Sequence, residues 1–494
     1  MWVYVGLAVI FLALRAIYRL YFHPLAKIPG PKLAAISSLP EFYHDVIRDG
    51  RYLWEVEKMH EKYEAGPVVR INPYQVHIND PSFYGEICAS GGRKRDKSFA
   101  AMAGLRSSES LPSIIDHDHH NVRRKHLNPV FSKKAIVEIV PMIQRKIAMV
   151  MEDLETAYNT EGRVVDLEHE FTGLTADTVT EFTYGKDLGF LRDKQFNNVI
   201  LGAMREMTDQ FHVNRFFPFL TPLLSHLPPW FMCQFRPKLA GIYELQKRIN
   251  KEPVIKNHGI NTVMETLTDP SMPAEIRSPE FIRETVNIIL GAATEPTSGT
   301  LLMGIYQLVQ QQPLWLKLRE ELKAVMPAPT DAPSWLQLEQ LPLMRAVFHE
   351  VLRFSPGTIR IARVATQETL VCQGHAMPPG STVSASARLI HMHEDPFPDP
   401  HSFNPDRWLE ADPKQHNKML QALVPFSRGP RNCIGYNLVT AEVYMVLAAI
   451  IRRFDMELYD TSPANVAFER DCVVARPVSG FWNVKVRLTG VATN

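Results

Sequence analysis

The chain has 494 residues, with 54 Lys and Arg against 53 Asp and Glu, a formal net charge of +1. Near-neutrality leaves no electrostatic footprint for nucleic acid, and the length suffices to bury a large core and a cofactor in one domain. Five cysteines (Cys88, Cys233, Cys372, Cys433, Cys472), an odd number without CxxC spacing, argue against a disulfide framework or a zinc site and fit a reducing compartment.

In chain order, Trp2 to Leu14 is uncharged and mostly apolar, and the run continues through Arg15 and Arg19 to Phe22. Such a stretch would span roughly 31 Å as a helix, about one bilayer core. Trp2, Tyr18 and Tyr21 suit an aromatic belt, and the arginines are expected to snorkel. A helix lying in the interface is the other reading. Without a small-residue cleavage site a cleaved signal is not expected, and Arg15, Arg19, Lys27 and Lys32 place the following body on the cytosolic side. The proline-dense run His23 to Pro31 cannot continue a helix and reads as a stiff hinge. The organisation expected is an anchor over 1–22, a hinge over 23–32 and one catalytic domain over 33–494.

Alternating stretches near Val68–Ile78, Thr366–Val371 and Val473–Leu488 predict short strands, and most of the rest reads helical. Arg93-Lys94-Arg95 reads as a solvated loop or a phosphate-binding or targeting patch. In His117 to Arg124, His120 and Arg124 share one helical face at i, i+4; the histidines also admit a metal-site reading. Ser278-Pro279 is an N-cap and N1 pair opening a long helix from Glu280 to about Gln312, with Pro296 at its centre. Helices over Leu314–Met326 and about Leu338–Phe354 follow, the last carrying Glu350 and Arg353 one turn apart. Near the C-terminus, Cys433 sits in a glycine-bracketed turn before the apolar run Leu438 to Ile451. A metal-ligating thiolate needs shielding; Gly429 and Gly435 would permit the tight backbone, and the following helix would add the positive end of its dipole. A buried structural cysteine is the competing reading.

Phe426-Ser427-Arg428-Gly429-Pro430-Arg431-Asn432-Cys433-Ile434-Gly435 matches Phe-x-x-Gly-x-Arg-x-Cys-x-Gly, and so resembles the heme-binding loop of the cytochrome P450 family. Glu350-x-x-Arg353 with Phe403 to Trp408 resembles that family's Glu-Arg-Arg network through Arg407, and the hinge resembles that of microsomal members, its Tyr-Phe-His-Pro-Leu wording being similar to fungal ones. The resemblance runs over essentially the whole chain. It implies the P450 fold, mainly α with small β-sheets, as a single large catalytic domain behind an N-terminal membrane helix. It implies heme b, with Cys433 as axial ligand and His120, Arg124, Arg363 and Arg431 toward the propionates. The family more often has tryptophan at the position of His120. Arg360 competes with Arg363, and otherwise lines the substrate side or the surface.

The long helix departs from the family pattern small-Gly-x-acid-Thr-Thr: it reads Gly291-Ala292-Ala293-Thr294-Glu295-Pro296-Thr297, with proline for the proton-delivering threonine. Proline frees the Ala292 carbonyl. Glu295 and Thr297, with ordered water, are the expected proton-delivery pair; the alternative is a kink with Thr297 packed elsewhere. The activity implied is insertion of oxygen from O2 into a small hydrophobic substrate, a fungal secondary metabolite such as a terpenoid or polyketide. Apolar Ala101, Met102, Leu105, Ile114, Ile289 and Ile359 fall in regions that line the family's distal pocket. No Gly-x-Gly-x-x-Gly unit or flavin domain is present, so electrons would come from NADPH–cytochrome P450 reductase, docked on Arg123, Lys125, Lys133 and Lys134. Residence in the endoplasmic reticulum membrane as a single-pass protein follows by resemblance. The alternatives are an oxygen-independent heme-thiolate isomerase or dehydratase, and a non-catalytic heme carrier or sensor.

Overall fold

The computed structural model describes the chain except residues 64–65, 90, 106, 108, 161–163, 220–233, 235, 252–261, 356, 481 and 493–494, and the side chains of 239 and 250. Cys233 therefore lies outside the described residues.

The N-terminal helix α1 (Trp2–Ile17) runs on through a π-turn, Tyr18–Phe22. Together they form the one described helix long and apolar enough to cross a membrane, and no residue of α1 is buried. Arg19 does not snorkel. Arg19 is buried, donates to the Ile36 carbonyl at 2.5 Å and to the Tyr74 hydroxyl, and lies 4.9 Å over the Tyr74 ring. Arg15 donates to the same hydroxyl at 3.1 Å, and the Arg19 carbonyl accepts from Arg70 at 2.8 Å. These arginines fasten the helix to the body because the Tyr74 hydroxyl and the Ile36 carbonyl offer fixed acceptors.

β1 (Val68–Asn72) and β2 (Gln75–Ile78) form an antiparallel hairpin at one edge of a five-stranded sheet. With β3 (Asp96–Lys97), the helices α2 (His117–Leu127) and α3 (Lys133–Asn159), and β4 (Val164–Asp166), the chain reaches the buried helix α4 (Leu167–Tyr184). Next come α5 (Lys194–Asp209), α6 (Phe211–Phe216) and the long α7 (Pro279–Val309). Ser278 caps α7 by accepting from the Phe281 N–H at 3.2 Å, and the helix runs unbroken through Pro296.

Two expected helix boundaries move, both because of proline. Pro313 does not close a helix; it stands in the first turn of the next, Gln312–Leu322. α8 starts at Pro342 and ends at Phe354, after a separate turn over Trp335–Leu338. In each case the missing N–H is one the first turn leaves unpaired anyway.

β5 (Arg360–Val364) and β6 (Thr382–Ser386) complete the sheet in the order β1-β2-β6-β5-β3, with only β2–β6 parallel. The alternation expected at 366–371 becomes the strand Leu370–Cys372 of a small hairpin. α9 (Tyr436–Arg453) is buried over most of its length. β7 (Phe454–Leu458) and β10 (Lys485–Val491) pair in a three-stranded sheet with β4, and β8 (Arg470–Cys472) and β9 (Val474–Arg476) form a hairpin. The largest core cluster lies among α3, α4, α7, α8 and α9. Gly304 brings α7 close to α8 and α9: a Cβ there would meet Val351 and Leu447 at 3.3–3.4 Å.

Candidate active site

The cysteine turn is fixed by its own backbone. The Cys433 N–H donates to the Phe426 carbonyl at 2.8 Å, and the Asn432 N–H to that of Gly429 at 3.1 Å. Ser427 takes φ +58°, a conformation costly for a residue with a Cβ. Gly429 is obligatory: at φ +70° its Cβ would stand 2.3 Å from the Ala89 carbonyl oxygen and 2.7 Å from that of Cys88. Gly435 is not obligatory in this sense. Its φ is −81° at the N-cap of α9, and a Cβ would sit at ordinary contact, 3.9 Å, from the Cys433 sulfur. What Gly435 supplies is a backbone N–H to that sulfur.

Among the described residues Cys433 is the one exposed cysteine; Cys88, Cys372 and Cys472 are buried. It lies deep in the mass of the chain yet keeps an accessible face. Burial pushes its thiol up, while the Gly435 N–H and the Arg124 charge oppose that shift.

Around this turn the fold gathers cations. Arg124 donates to the Asn432 carbonyl at 2.5 Å and to its side-chain oxygen at 2.7 Å. Arg431 donates to the carbonyls of Arg95, Ile114 and Ile115 at 3.2, 2.6 and 2.6 Å, which leaves two of its five N–H groups. Arg363 is buried and donates to the Ala362 carbonyl. Directly across the ladder from Arg363 stands Lys97, whose ammonium donates to the Pro112 carbonyl.

The electrostatics register the crowding. Burial, then the charges of Arg363, Arg431 and Arg124, hold the Lys97 ammonium well below its ordinary pKa. Burial and Arg363 lower Arg431 to about 10, and burial also lowers Arg124. Buried His120 is pushed down to about 3, first by burial and then by Arg431 and Lys97. Among the described residues none of Lys97, Arg124, Arg363 and Arg431 pairs with a carboxylate. Like charges opposed across a ladder are destabilising, so four gathered cations without an anion, Arg363 and Arg431 buried and Lys97 and Arg124 half-buried, mark an anion site. A flat macrocycle with two carboxylates and a metal for Cys433 fits that donor set.

Behind the turn, Glu350 accepts from Arg353 Nε and Nη2 at 3.0 and 2.8 Å, from Arg407 Nε at 3.1 Å, from the Trp408 indole at 2.9 Å and from the Asn404 N–H at 2.9 Å. The remaining arginine donors reach carbonyls of the 391–402 segment, including Pro398, Asp399 and Ser402. The network ties α8 to the loop leading into the cysteine turn; Trp408 is a partner that spacing did not reveal.

On the other side of the site the expected pair separates. Glu295 is buried and gripped by Arg476, Nε to Oε1 and Nη2 to Oε2, both at 2.8 Å. Thr297 lies two residues on, about 200° around the helix, and residues so spaced do not face each other. Its buried hydroxyl has no hydrogen-bond partner among the described residues. Pro296 faces Gly357, whose Cβ would lie 3.9 Å from that of the proline.

Three other expectations change. Arg360 reaches neither the surface nor the cation cluster; it pairs with Asp45 at 2.9 Å and with Asp471, joining β5 to β8. Arg123 is buried against Glu109 at 2.6 Å and over the Phe281 ring at 4.4 Å, so it presents no docking surface, whereas Lys125 and Lys134 are exposed. Arg93-Lys94-Arg95 is no free patch: the three pair with Glu86, Asp118 and Glu368, and Arg95 is buried.

Lys97 and Arg476 are the site residues that sequence reasoning missed. Neither belongs to a spaced motif; each becomes visible only when β3 pairs with β5, or when the β8–β9 hairpin meets α7.

A mainly helical fold with small sheets, an accessible cysteine at a helix N-terminus and a cradle for two carboxylates define a heme-thiolate protein. Comparison with known proteins gives the family. The cytochrome P450 family profile matches residues 30–484, and the chain belongs to that family. It is similar to conidiogenone synthase PchP450 of Penicillium rubens, 38% identical over 97% of this chain and 96% of that protein. It is also similar to the cytochrome P450 monooxygenase TRI4 of Trichoderma arundinaceum, 36% identical over 96% and 92%. A third relative is the tryptophan 6-hydroxylase fscE of Fusarium equiseti, 34% identical over 92% and 90%. The protein is a heme-dependent P450 monooxygenase, and its apolar N-terminal helix fits a membrane anchor.

Proposed function

We propose that this protein oxidises a hydrophobic fungal secondary metabolite, such as a terpenoid or polyketide, at a heme held over Cys433. The unpaired cations Lys97, Arg124, Arg363 and Arg431 beside that cysteine carry the residue assignments. When bound, the heme supplies reductive activation of O2, made easier by a thiolate ligand. Cys433 would bind its iron, the thiolate charge eased by the Gly435 N–H and the N-terminus of α9. The four cations, with His120 neutral among them, would take the two propionates, and Arg431 would also staple the turn to the 114–115 segment.

On the substrate side, apolar Ile114, Ile289 and Ile359 would exclude water and hold a lipophilic molecule. Thr297 has a hydroxyl free to bond a water or a substrate oxygen, and Glu295 would carry protons by way of water, not by direct contact with Thr297. Electrons would come from NADPH–cytochrome P450 reductase, with Lys125 and Lys134 on its docking face. Residues 1–22 would anchor the protein in the endoplasmic reticulum membrane, 23–32 would form the hinge, and 33–494 the cytosolic catalytic domain. Support for this substrate class comes from the apolar lining and from a fungal relative named for the making of conidiogenone.

The test is expression with the reductase in microsomes under 18O2, with terpenoid and polyketide panels. Label in an NADPH-dependent product is the expected result; turnover without NADPH would instead identify an isomerase or dehydratase. The reduced carbon-monoxide spectrum should show the thiolate band, and Cys433→Ala should lose it.

A further inference from the structure

The segment from Leu39 to Ile47 has its polarity reversed. Its acids lie inside: Glu41 and Asp45 are buried and pair with Arg215 at 2.7 and 2.8 Å, and Asp45 also meets Arg360 at 2.9 Å. Its apolar residues lie outside: Leu39, Tyr43 and Ile47, spaced by four, are 65%, 46% and 61% exposed. A helix beside water turns its apolar stripe to the core, so the outer side of this one calls for an apolar cover. The N-terminal helix is close at hand. Arg19, at its end, holds the Ile36 carbonyl, and the short helix Lys32–Ile36 packs against both the π-turn Tyr18–Phe22 and Leu39–Phe42. An anchor leaving the bilayer there brings the lipid surface over the 39–47 face.

Where that segment ends, a cavity of about 730 Å³ opens between Arg48, Asp49, the helix Tyr52–Lys62 and the start of β8, a size typical of small-molecule sites. Its floor is fixed. The Asp471 N–H donates to the Gly50 carbonyl at 2.9 Å, and Gly50, at φ +78°, has no room for a Cβ, which would stand 2.5 Å from the Asp471 carbonyl oxygen.

Four cations line the cavity against two carboxylates. Lys58 is paired with Glu55 at 2.8 Å, and Arg51 with Glu469 at 2.9 Å. Arg470 meets Asp49 at 2.7 Å and Asp209 at 3.4 Å, both through Nη2, and its buried Nε has no partner among the described residues. Arg48 is exposed, and its guanidinium bonds nothing among the described residues. Paired donors left free on a planar guanidinium match two oxygens of a phosphate. Exposed Val478 lines the same cavity, and Ile47 adjoins Arg48, so an anion seated there has apolar side chains at its outer edge. Free phosphate has no use for that edge; a phospholipid does.

We propose that this cavity binds the headgroup phosphate of an acidic membrane phospholipid, with Arg48 as its main partner, Arg470 beside it and the acyl chains leaving over Ile47 and Val478. The binding is non-covalent, and it rests on the reading of residues 1–22 as a membrane anchor.

The test titrates full-chain holoenzyme in detergent micelles, which cover the N-terminal helix, with dioctanoyl phosphatidic acid and counts bound lipids by native mass spectrometry. One lipid per chain is expected at low ratios. Arg48→Gln should lower its affinity roughly ten-fold, and Arg48→Lys less, since it keeps the charge without the fork. Lys414→Gln removes an equal charge from an exposed residue outside the cavity and should bind like the wild type. Glycerol 3-phosphate, the same headgroup without its chains, should bind roughly ten-fold more weakly or worse, and the Ile47→Ser/Val478→Ser double variant should narrow that gap.

Glycerol 3-phosphate binding as tightly as the lipid would make this a site for soluble phosphate, and an unchanged affinity in Arg48→Gln would put the lipid elsewhere. Either result overturns the proposal, as does equal binding of dioctanoyl phosphatidylcholine. A chain that carbonate strips from microsomes defeats the anchor reading, while the micelle titration still judges the cavity.

Discussion

At the scale of single residues, Gly429 and Glu442 make opposite predictions. Gly429 has no room for a Cβ under the backbone of 88–89. Gly429→Ala should deform the cysteine turn and remove the thiolate band from the reduced carbon-monoxide spectrum, with secondary structure retained by circular dichroism. Glu442, on α9, is buried and makes no ion pair among the described residues; burial, opposed by the Thr178 hydroxyl, holds its carboxyl well above the ordinary 4.5. The folded chain therefore binds a proton here that the unfolded chain releases above that value. Stability from this group is full below about pH 4.5 and falls as pH rises toward the folded pKa. Glu442→Gln should raise the thermal midpoint at pH 8 and leave it nearly unchanged at pH 4.5. The residues readable in the sequence (Cys433, Glu350, Arg353, Arg407, Arg124, Arg431) belong to fixed local spacings. Lys97, Trp408 and Arg476 do not: their partners lie tens to hundreds of residues away, and only strand pairing or helix packing brings them close.

At the scale of elements, α8 shows how a pair worth tenths of a kcal/mol on a solvated helix becomes a joint. Glu350 is fully buried between Arg353 and Arg407, so Glu350→Gln leaves two guanidiniums without their anion. The expected cost is roughly 3–5 kcal/mol, read as a lower denaturation midpoint and poor heme incorporation. Arg353→Lys keeps a cation beside Glu350 and should lower the midpoint less than Glu350→Gln does, though still measurably, because an ammonium lacks the planar fork. Helix existence was legible from periodicity and caps; helix ends were less so, since Pro313 and Pro342 begin helices as easily as they end them. α7 was legible almost to the residue from Ser278-Pro279. That Pro296 leaves it continuous was not, because packing against α4, α8 and α9 holds a helix together where one lost hydrogen bond would open it in isolation.

At the scale of the molecule, the anchor and the body meet at Tyr74. Arg15 and Arg19 both bond its hydroxyl, and the His23 ring packs edge-on at 6.3 Å. This contact ties the N-terminal helix to the body. Tyr74→Phe removes the shared acceptor without changing the core. It should preserve the thiolate band and vesicle binding while broadening the heme tilt measured by linear dichroism in oriented bilayers; an unchanged tilt distribution would show that the hinge prolines alone fix the orientation. The N-terminal helix was legible as an apolar run, but Arg19 read as snorkelling because the hydroxyl it meets lies more than fifty residues away.

The four cations around the cysteine turn bear on the protein's life in the cell. With heme seated there as proposed, their mutual repulsion would be relieved by its two carboxylates, and binding energy would also be folding energy. Iron and porphyrin supply would then govern how much of this enzyme accumulates. A cell short of heme would lose the chain to proteolysis before it lost the transcript, and a pathway depending on this oxidation would be throttled by iron nutrition without any dedicated regulator.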